Sequence, residues 1–468
     1  MADFAPFAAK MRAEGLPEAA IRTFEHYYRE LAGGARGTLS RAEIDPVDAV
    51  ESAAQLGRYE PEGRAALARA VVIKLNGGLG TTMGMRQAKS LLPVKGALSF
   101  LDVIARQVLH LRRAHRSRVP LLFMNSFRTR ADTLAALGHY PDLAGDLPLD
   151  FLQHKVPRIA ASDLAPIGWA ADPELEWCPP GHGDLYLALE TSGLLAALLE
   201  RGFRHAFVSN ADNLGASLDL GILGWFAAER LPFAMEVCDR TEAHKKGGHL
   251  ARLKGGGLAL REVAQCPEDE LASFQDVALY RYFNTNNLWV DLEALAAALR
   301  EREGVLPLPM IRNEKSVDPA DKQSPKVLQL ETAMGAAIAV FAGARALRVA
   351  GDRFAPVKTT GDLLAVASDA FTLTEDWRVV PTSGRAGDLV VDLDTAHYGR
   401  VDQLDAHFPA GPPSLVGCTR LRVTGDVRFG AGVVCRGEVA VRGGERSSVA
   451  DGAVLTGPVE VAAGTSSS

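Results

Sequence analysis

The apolar run Val71-Val72-Ile73-Lys74-Leu75 stops at Asn76-Gly77-Gly78-Leu79-Gly80, and this change from β-branched residues to glycine constrains the fold more than any other feature. A short apolar run without helical period reads as a buried strand, and the glycines end it. The pattern recurs. Pro120-Leu121-Leu122-Phe123-Met124 and Ala206-Phe207-Val208-Ser209 read as two more strands, while Phe100 to Leu111 and Asp184 to Arg201 read as helices. Strands of this kind separated by helices imply an α/β fold whose mostly parallel sheet is covered on both faces.

Both ends of the chain differ from this middle. In residues 1–32 the apolar positions Phe4, Phe7, Met11, Leu16, Ile21, Phe24, Tyr28 and Leu31 fall mostly at helical spacings. Gly15-Leu16-Pro17 divides them into two amphipathic helices. After Cys418 the text alternates Val or Leu with Gly and Arg and has no helical period. Short strands turned at glycines fit a β-helix or β-roll; a β-hairpin tail fits the same spacing. The stretch Asp405 to Pro413 reads as a linker, and Ala462 to Ser468 as a disordered end. The division is therefore residues 1–66 (helical), 67–365 (central α/β), 366–413 (connecting) and 414–468 (β-rich).

Composition narrows the partners. Of 468 residues, 51 are Lys or Arg and 57 Asp or Glu, a net charge of -6. That balance argues against nucleic acid or an anionic membrane surface, and leaves room for a local basic pocket. The longest uncharged apolar run, Ala333 to Ala344, is about twelve residues, short of the ~20 that a membrane span needs. Cys178, Cys238, Cys266, Cys418 and Cys435 form no CxxC pair, and the Met-Ala-Asp-Phe start lacks a basic and apolar leader. The expectation is a reduced, cytoplasmic chain without a zinc site or disulfide framework.

A glycine-rich turn after a strand lets the backbone approach a ligand, and its N–H groups can face phosphate oxygens. The spacing is neither a P-loop nor GxGxxG, so a purely structural turn stays open on this evidence. Lys89 follows within a few residues as a countercharge for a triphosphate.

The segment Leu75-Asn76-Gly77-Gly78-Leu79-Gly80-Thr81-Thr82-Met83-Gly84, followed by Lys89-Ser90, resembles the signature loop of the eukaryotic-type UTP–glucose-1-phosphate uridylyltransferases, or UDP-glucose pyrophosphorylases. Gln87-Ala88 stands where that family has Gly-Pro, which predicts a less rigid approach to Lys89. Further segments match in order: Met124-Asn125-Ser126-Phe127, Pro179-Pro180-Gly181-His182-Gly183-Asp184, Ser209-Asn210-Ala211-Asp212-Asn213, Asn284-Thr285-Asn286-Asn287, Gln329-Leu330-Glu331-Thr332-Ala333-Met334 and Pro356-Val357-Lys358-Thr359. The resemblance implies a helical N-terminal section, a Rossmann-like nucleotide-diphospho-sugar transferase domain and a C-terminal left-handed β-helix. Asn313-Glu314-Lys315 replaces the family's Asn-Pro-Lys, which predicts a more flexible loop there.

The activity so implied joins glucose 1-phosphate to the α-phosphorus of UTP, giving UDP-glucose and pyrophosphate. Two anions must meet, so the demand is for cations and for in-line placement. By resemblance Lys358 is the catalytic cation, Lys89 shares the triphosphate, and Asp212 holds Mg2+. Asp212 alone also reads as an Asx-turn or helix cap. The uridine pocket is implied to use Leu75, Asn76, Gly77, Gly78, Met124, Gln153 and Gly181. A glutamine side chain both donates and accepts, as the uracil edge requires. His182, Asn210, Asn286 and Lys246 fall at sugar-binding positions, with His244 where the family has Asp in the Lys246 loop. Other sugar 1-phosphates, N-acetylhexosamine among them, and a non-catalytic nucleotide-sugar binder are the competing readings. The C-terminal strands are expected to support homo-oligomers through exposed β edges.

Overall fold

The strand Ala70–Asn76 (β2) is buried at every one of its positions, as expected for a strand covered on both faces. The computed structural model describes residues 3–385 and 388–462. The end expected to be disordered lies, from residue 463 onward, outside the described residues.

Around β2 the main sheet contains Glu51–Ser52 (β1), Leu121–Asn125 (β3), Asp150–Leu152 (β4), His205–Asn210 (β5), Phe233–Asp239 (β6), Tyr282–Asp291 (β7) and Arg345–Arg348 (β8). Their order is β1-β8-β6-β7-β5-β2-β3-β4. All neighbours are parallel except β7, which runs antiparallel to both β5 and β6. The sheet is thus mixed and mostly parallel. One apolar cluster lies on each face: Val72, Phe123, Phe207 and Trp289 on one, Val71, Ile73, Val208 and Leu288 on the other. Register decides what comes next. Leu75 pairs with both Met124 and Asn210, so the carboxyl ends of three parallel strands lie level, where open α/β sheets bind ligands.

The N-terminal helices Ala5–Ala13 (α1) and Glu18–Ala32 (α2) separate at Gly15 and Pro17 as expected. They bury Phe7, Phe24 and Tyr28 against Val156, Ile159 and Trp177, bracing the far wall of the cleft. Three expectations need correction. Asp184 to Arg201 is not one helix but two, Leu185–Thr191 and Leu194–Glu200, because Gly193 adopts φ +76 and breaks the run. The linker over Asp405 to Pro413 begins late: Val401–His407 is a helix held by buried Leu404 and Phe408. Asn313-Glu314-Lys315 is not a loose loop. It lies within the strand Met310–Ser316, paired residue by residue with Lys326–Thr332, and without a proline its N–H groups are free to join the ladder.

The C-terminal part contains Val390–Leu393 (β9), Cys418–Thr424 (β10), Val427–Phe429 (β11), Val434–Gly443 (β12), Ser447–Val449 (β13) and Val454–Val461 (β14). The pairs β9–β10, β10–β12, β12–β14 and β11–β13 are all parallel, which rules out the hairpin reading of this tail. Cys418, Leu421, Val423, Cys435, Val439 and Val441 are buried between these strands. No helix among the described residues is long and apolar enough to cross a membrane.

Candidate active site

Beyond β2 the glycine loop folds back so that the Lys89 N–H donates to Gly78 O at 3.0 Å. Ala88 sits at φ -55, ψ 127, a conformation that proline also adopts, so the missing Gly-Pro pair leaves the backbone path intact. The path aims Lys89 across the sheet end, where its Nζ meets Asp212 Oδ2 at 2.6 Å. Both side chains remain partly open to solvent, at 14% and 26% exposure, so the pair is accessible to a ligand. Asp212 lies two residues beyond β5, and its carboxylate is occupied by Lys89 rather than by a helix cap.

The segment carrying Lys358 is fastened to the same turn. Val357 N–H donates to Asp212 O at 3.2 Å, and Pro356 bridges Asn213. Thr359 caps the helix Thr360–Ala367, while Asp362 accepts the N–H groups of Lys358 and Thr359, each at 2.8 Å. This double cap fixes the backbone and leaves the Lys358 side chain exposed. Burial raises the Glu262 carboxyl pKa, with the positive charge of Lys358 opposing it. Burial also lowers the His244 imidazole, helped by Arg240 and Lys358. His244 thus stays a neutral acceptor: its Nδ1 takes the Thr241 N–H at 3.3 Å, and its ring stacks on Phe283 at 4.6 Å. It closes the Lys246 loop as a short acidic side chain would. Lys246 itself is exposed.

On the other side of β2, Gln153 follows β4. Its N–H donates to Asn125 O at 2.8 Å and its Nε2 to Gly181 O at 2.8 Å. A Cβ on Gly77 would stand 3.0 Å from Gln153 Oε1, so Gly77, Gln153 and Gly181 share one corner. Gly181 adopts φ +81, and any side chain there would strike the Thr332 backbone. Leu75 and Met124 lie beneath, both buried, with Gly78 at the open side. The Asn76 side chain turns inward instead, donating to Asn125 Oδ1 at 2.9 Å and Thr133 Oγ1 at 2.8 Å. His182 accepts the Met334 N–H on Nδ1 at 2.9 Å, and burial lowers its pKa to about 4, so the ring is neutral with Nε2 protonated. Asn210 is half-buried at the end of β5. Asn286 takes a left-handed φ of 58, held by its own exchange of hydrogen bonds with Asn284, each at 2.9 Å.

Sequence reasoning missed the layer beneath these groups. Glu236 in β6 has no exposed surface, and Arg353 grips it with Nε at 2.8 Å and Nη2 at 2.7 Å. Asn287 and Trp289 donate to the same carboxylate, each at 3.0 Å. Asn213 links this ion pair to the site: its Nδ2 donates to Arg353 O at 3.1 Å and its Oδ1 accepts the Ala355 N–H at 2.9 Å. Asp212 and Lys358 therefore stand on one buried lattice. Lys74 joins it from β2, donating to Ser209 Oγ at 2.7 Å and Ala216 O at 2.8 Å. The available signal was a charged residue inside an apolar strand: Glu236 in Phe233-Ala234-Met235-Glu236-Val237, and Lys74 in its own run.

No group of three or more metal-ligating side chains occurs among the described residues. Asp212 by itself suits Mg2+, which binds through one or two carboxylates with waters and substrate phosphates completing its shell.

A glycine-lined crevice at the carboxyl ends of parallel strands, flanked by Lys89, Asp212 and Lys358, defines a phosphate-handling α/β protein. Comparison with known proteins narrows the class. The family model described as UTP–glucose-1-phosphate uridylyltransferase matches residues 21–436. The potato (Solanum tuberosum) enzyme of that name is 40% identical over 406 residues, covering 86% of this chain and 83% of its own. The Saccharomyces cerevisiae enzyme is 38% identical, covering 85% and 79%. A variant of Leishmania major UDP-glucose pyrophosphorylase, crystallised with UDP-glucose, superposes with a TM-score of 0.92 at 44% identity, over 99% of each chain. A Trypanosoma brucei structure gives 0.90 at 43% identity, covering 98% of this chain and 99% of that one. The chain belongs to the UTP–glucose-1-phosphate uridylyltransferase family.

Proposed function

We propose that this protein transfers the uridylyl group of UTP to glucose 1-phosphate, releasing pyrophosphate and forming UDP-glucose, and that it runs the reaction in both directions. The carrying observation is the Lys89–Asp212 pair at the mouth of the glycine loop, with the Lys358 segment tied to the Asp212 backbone. The relatives named for this activity and the Leishmania structure holding UDP-glucose support the same reading.

Uracil would lie in the corner of Gly77, Gln153 and Gly181, above Leu75 and Met124, with Gln153 Oε1 accepting from the base. The triphosphate would run along Gly78 toward Lys89. The Asn76 side chain, engaged inside the sheet, would contribute only through its backbone. Glucose 1-phosphate would enter between the His182, Asn210 and Asn286 side and the Lys246 loop. A sugar-phosphate oxygen then attacks the α-phosphorus, the bond to the bridging oxygen breaks, and pyrophosphate leaves in line. Lys358, fixed by its backbone and free at its ammonium, would follow the charge that builds on the α-phosphoryl oxygens. Mg2+, held by Asp212 and substrate phosphates, would supply further neutralisation. Lys89 would exchange its carboxylate partner for phosphate oxygens.

We read the parallel C-terminal strands as coils of a left-handed β-helix. The outer strand β14, with Val454 57% exposed, is where a second copy would pair. We assign the protein to the cytoplasm, in keeping with its five free cysteines. Specificity is tested by pyrophosphate release with each of the four ribonucleoside triphosphates against a panel of sugar 1-phosphates. Preference for UTP with glucose 1-phosphate is expected. Equal rates across the sugars would overturn the specificity, and no release would overturn the activity.

A further inference from the structure

Next to the base corner lies a charged cluster with no part in the mechanism above. His154 directly follows Gln153, and Asp184 lies three residues after Gly181. The His154 backbone N–H donates to Asp184 Oδ2 at 2.7 Å, and the ring Nδ1 lies 2.9 Å from Asp184 Oδ1. On the far side of the ring, Nε2 lies 3.0 Å from Thr191 Oγ1. That hydroxyl also lies 2.9 Å from Leu187 O, to which it can give its proton while accepting from a protonated Nε2. The Asp184 carboxylate accepts on one side and the Thr191 hydroxyl can accept on the other, so both N–H groups of the imidazolium find a partner. The two side chains are 10% and 3% exposed, which keeps the pair out of solvent screening.

We propose that His154 is a positioning residue for the nucleotide: its imidazolium, clamped between Asp184 and Thr191, locks the strand end carrying Gln153 to the loop carrying Gly181. Two adjacent rungs then span the same gap. One is Gln153 Nε2 to Gly181 O at 2.8 Å, and the other is the His154–Asp184 ion pair. The second sets the spacing at which the first can hold a base, and among the described residues its hydrogen bonds run to Asp184 and Thr191, not to Lys89 or Lys358. Among the groups packed around the ring, Asp184 is its charged partner. Tyr27, from α2, gives its hydroxyl to Leu306 O, and Tyr186 gives its own to Met334 O. Lys155 turns away to Glu14 at 2.8 Å. Burial pulls the His154 pKa down, but the charge and hydrogen bond of Asp184 outweigh it and leave it raised. The clamp is thus complete below that raised value and is lost as pH rises through it.

This inference rests on the placement of the base beside Gln153, and the test separates the two. UTP binding to the full-length protein is measured by calorimetry from pH 6 to 9, alongside steady-state rates. Wild type is expected to lose about tenfold in UTP affinity across the titration of His154. His154→Asn, which keeps a donor toward Asp184 without the charge, is expected to bind UTP weakly and without that pH dependence. Its kcat at saturating UTP and its KM for glucose 1-phosphate are expected to stay within about twofold of wild type. Thr191→Val, a milder change on the other side of the ring, is expected to shift the wild-type pH profile downward. Unchanged UTP affinity and profile in both variants, or equal losses toward both substrates, would overturn the role of His154. Gln153→Ala is the control for base placement: wild-type UTP affinity there would overturn that placement and, with it, this inference.

Discussion

Lys74 occupies the middle of β2 with its amino group held by Ser209 Oγ and Ala216 O and, among the described residues, no carboxylate in contact. Burial, with Arg353 adding repulsion and Glu236 opposing, lowers its pKa from 10.5 to about 7. Between those two values the unfolded chain holds a proton that the folded chain has released. Stability therefore rises with pH through that window, by at most about 1.4 kcal/mol per unit. Denaturant midpoints of wild type and Lys74→Met at pH 7 and pH 9 check this. Wild type is expected to gain on the variant as pH rises, and parallel profiles would contradict it. At the same scale, Lys89 and Asp212 hold each other before any substrate arrives. Such a pair costs little to exchange, because neither side chain is fully desolvated.

Strands and turns carry the next level. Strand β6 delivers Glu236 to Arg353, and through Asn213 that pair sets the path of residues 353–358. Glu236→Ala leaves Arg353 charged and unpaired in the interior, which costs about 3–5 kcal/mol. Urea unfolding is expected to show that loss, with kcat falling too because Lys358 loses its support; Glu236→Gln should recover part of both. Wild-type stability in the alanine variant would contradict the lattice. Much of this level was legible in the residues. Val71 to Leu75, Leu121 to Met124 and Ala206 to Ser209 are strands where their composition predicts them, and Gly15 to Pro17 divides two helices. The failures have physical causes. Gly193 interrupts a leucine-rich run whose apolar spacing by itself reads as one continuous helix. Leu404 and Phe408 bind a helix to the core through contacts far away in sequence. In the tail the sequence leaves a β-helix or β-roll and a hairpin both open, because alternation specifies which side chains face inward but not the direction of the partner strand; the strands are parallel. The Glu236–Arg353 pair joins residues 117 positions apart, a distance that no local pattern encodes.

At the scale of the molecule, the sheet brings two kinds of support to one edge. Strands β2 and β4 lead to Gly77 and Gln153 on the proposed base side, while β5 leads to Asp212, and β6 and β7 carry Glu236 and Asn286 on the proposed phosphate and sugar side. The helices α1 and α2 stiffen the first half from behind. The resemblance of the motif segments pointed to this division because they occur in order along the chain; the buried layer that joins them became visible only in three dimensions. On the proposed reading, two phosphorylated substrates are neutralised by Lys89, by Lys358 and by the Mg2+ that Asp212 would hold. The direct measurement is the initial rate of pyrophosphate release from UTP and glucose 1-phosphate by wild type, Asp212→Ala and Lys358→Ala. Sustained release by wild type and a fall of about 10²–10³ in each variant, with thermal unfolding unchanged, is expected. Rates near wild type in both variants would contradict it.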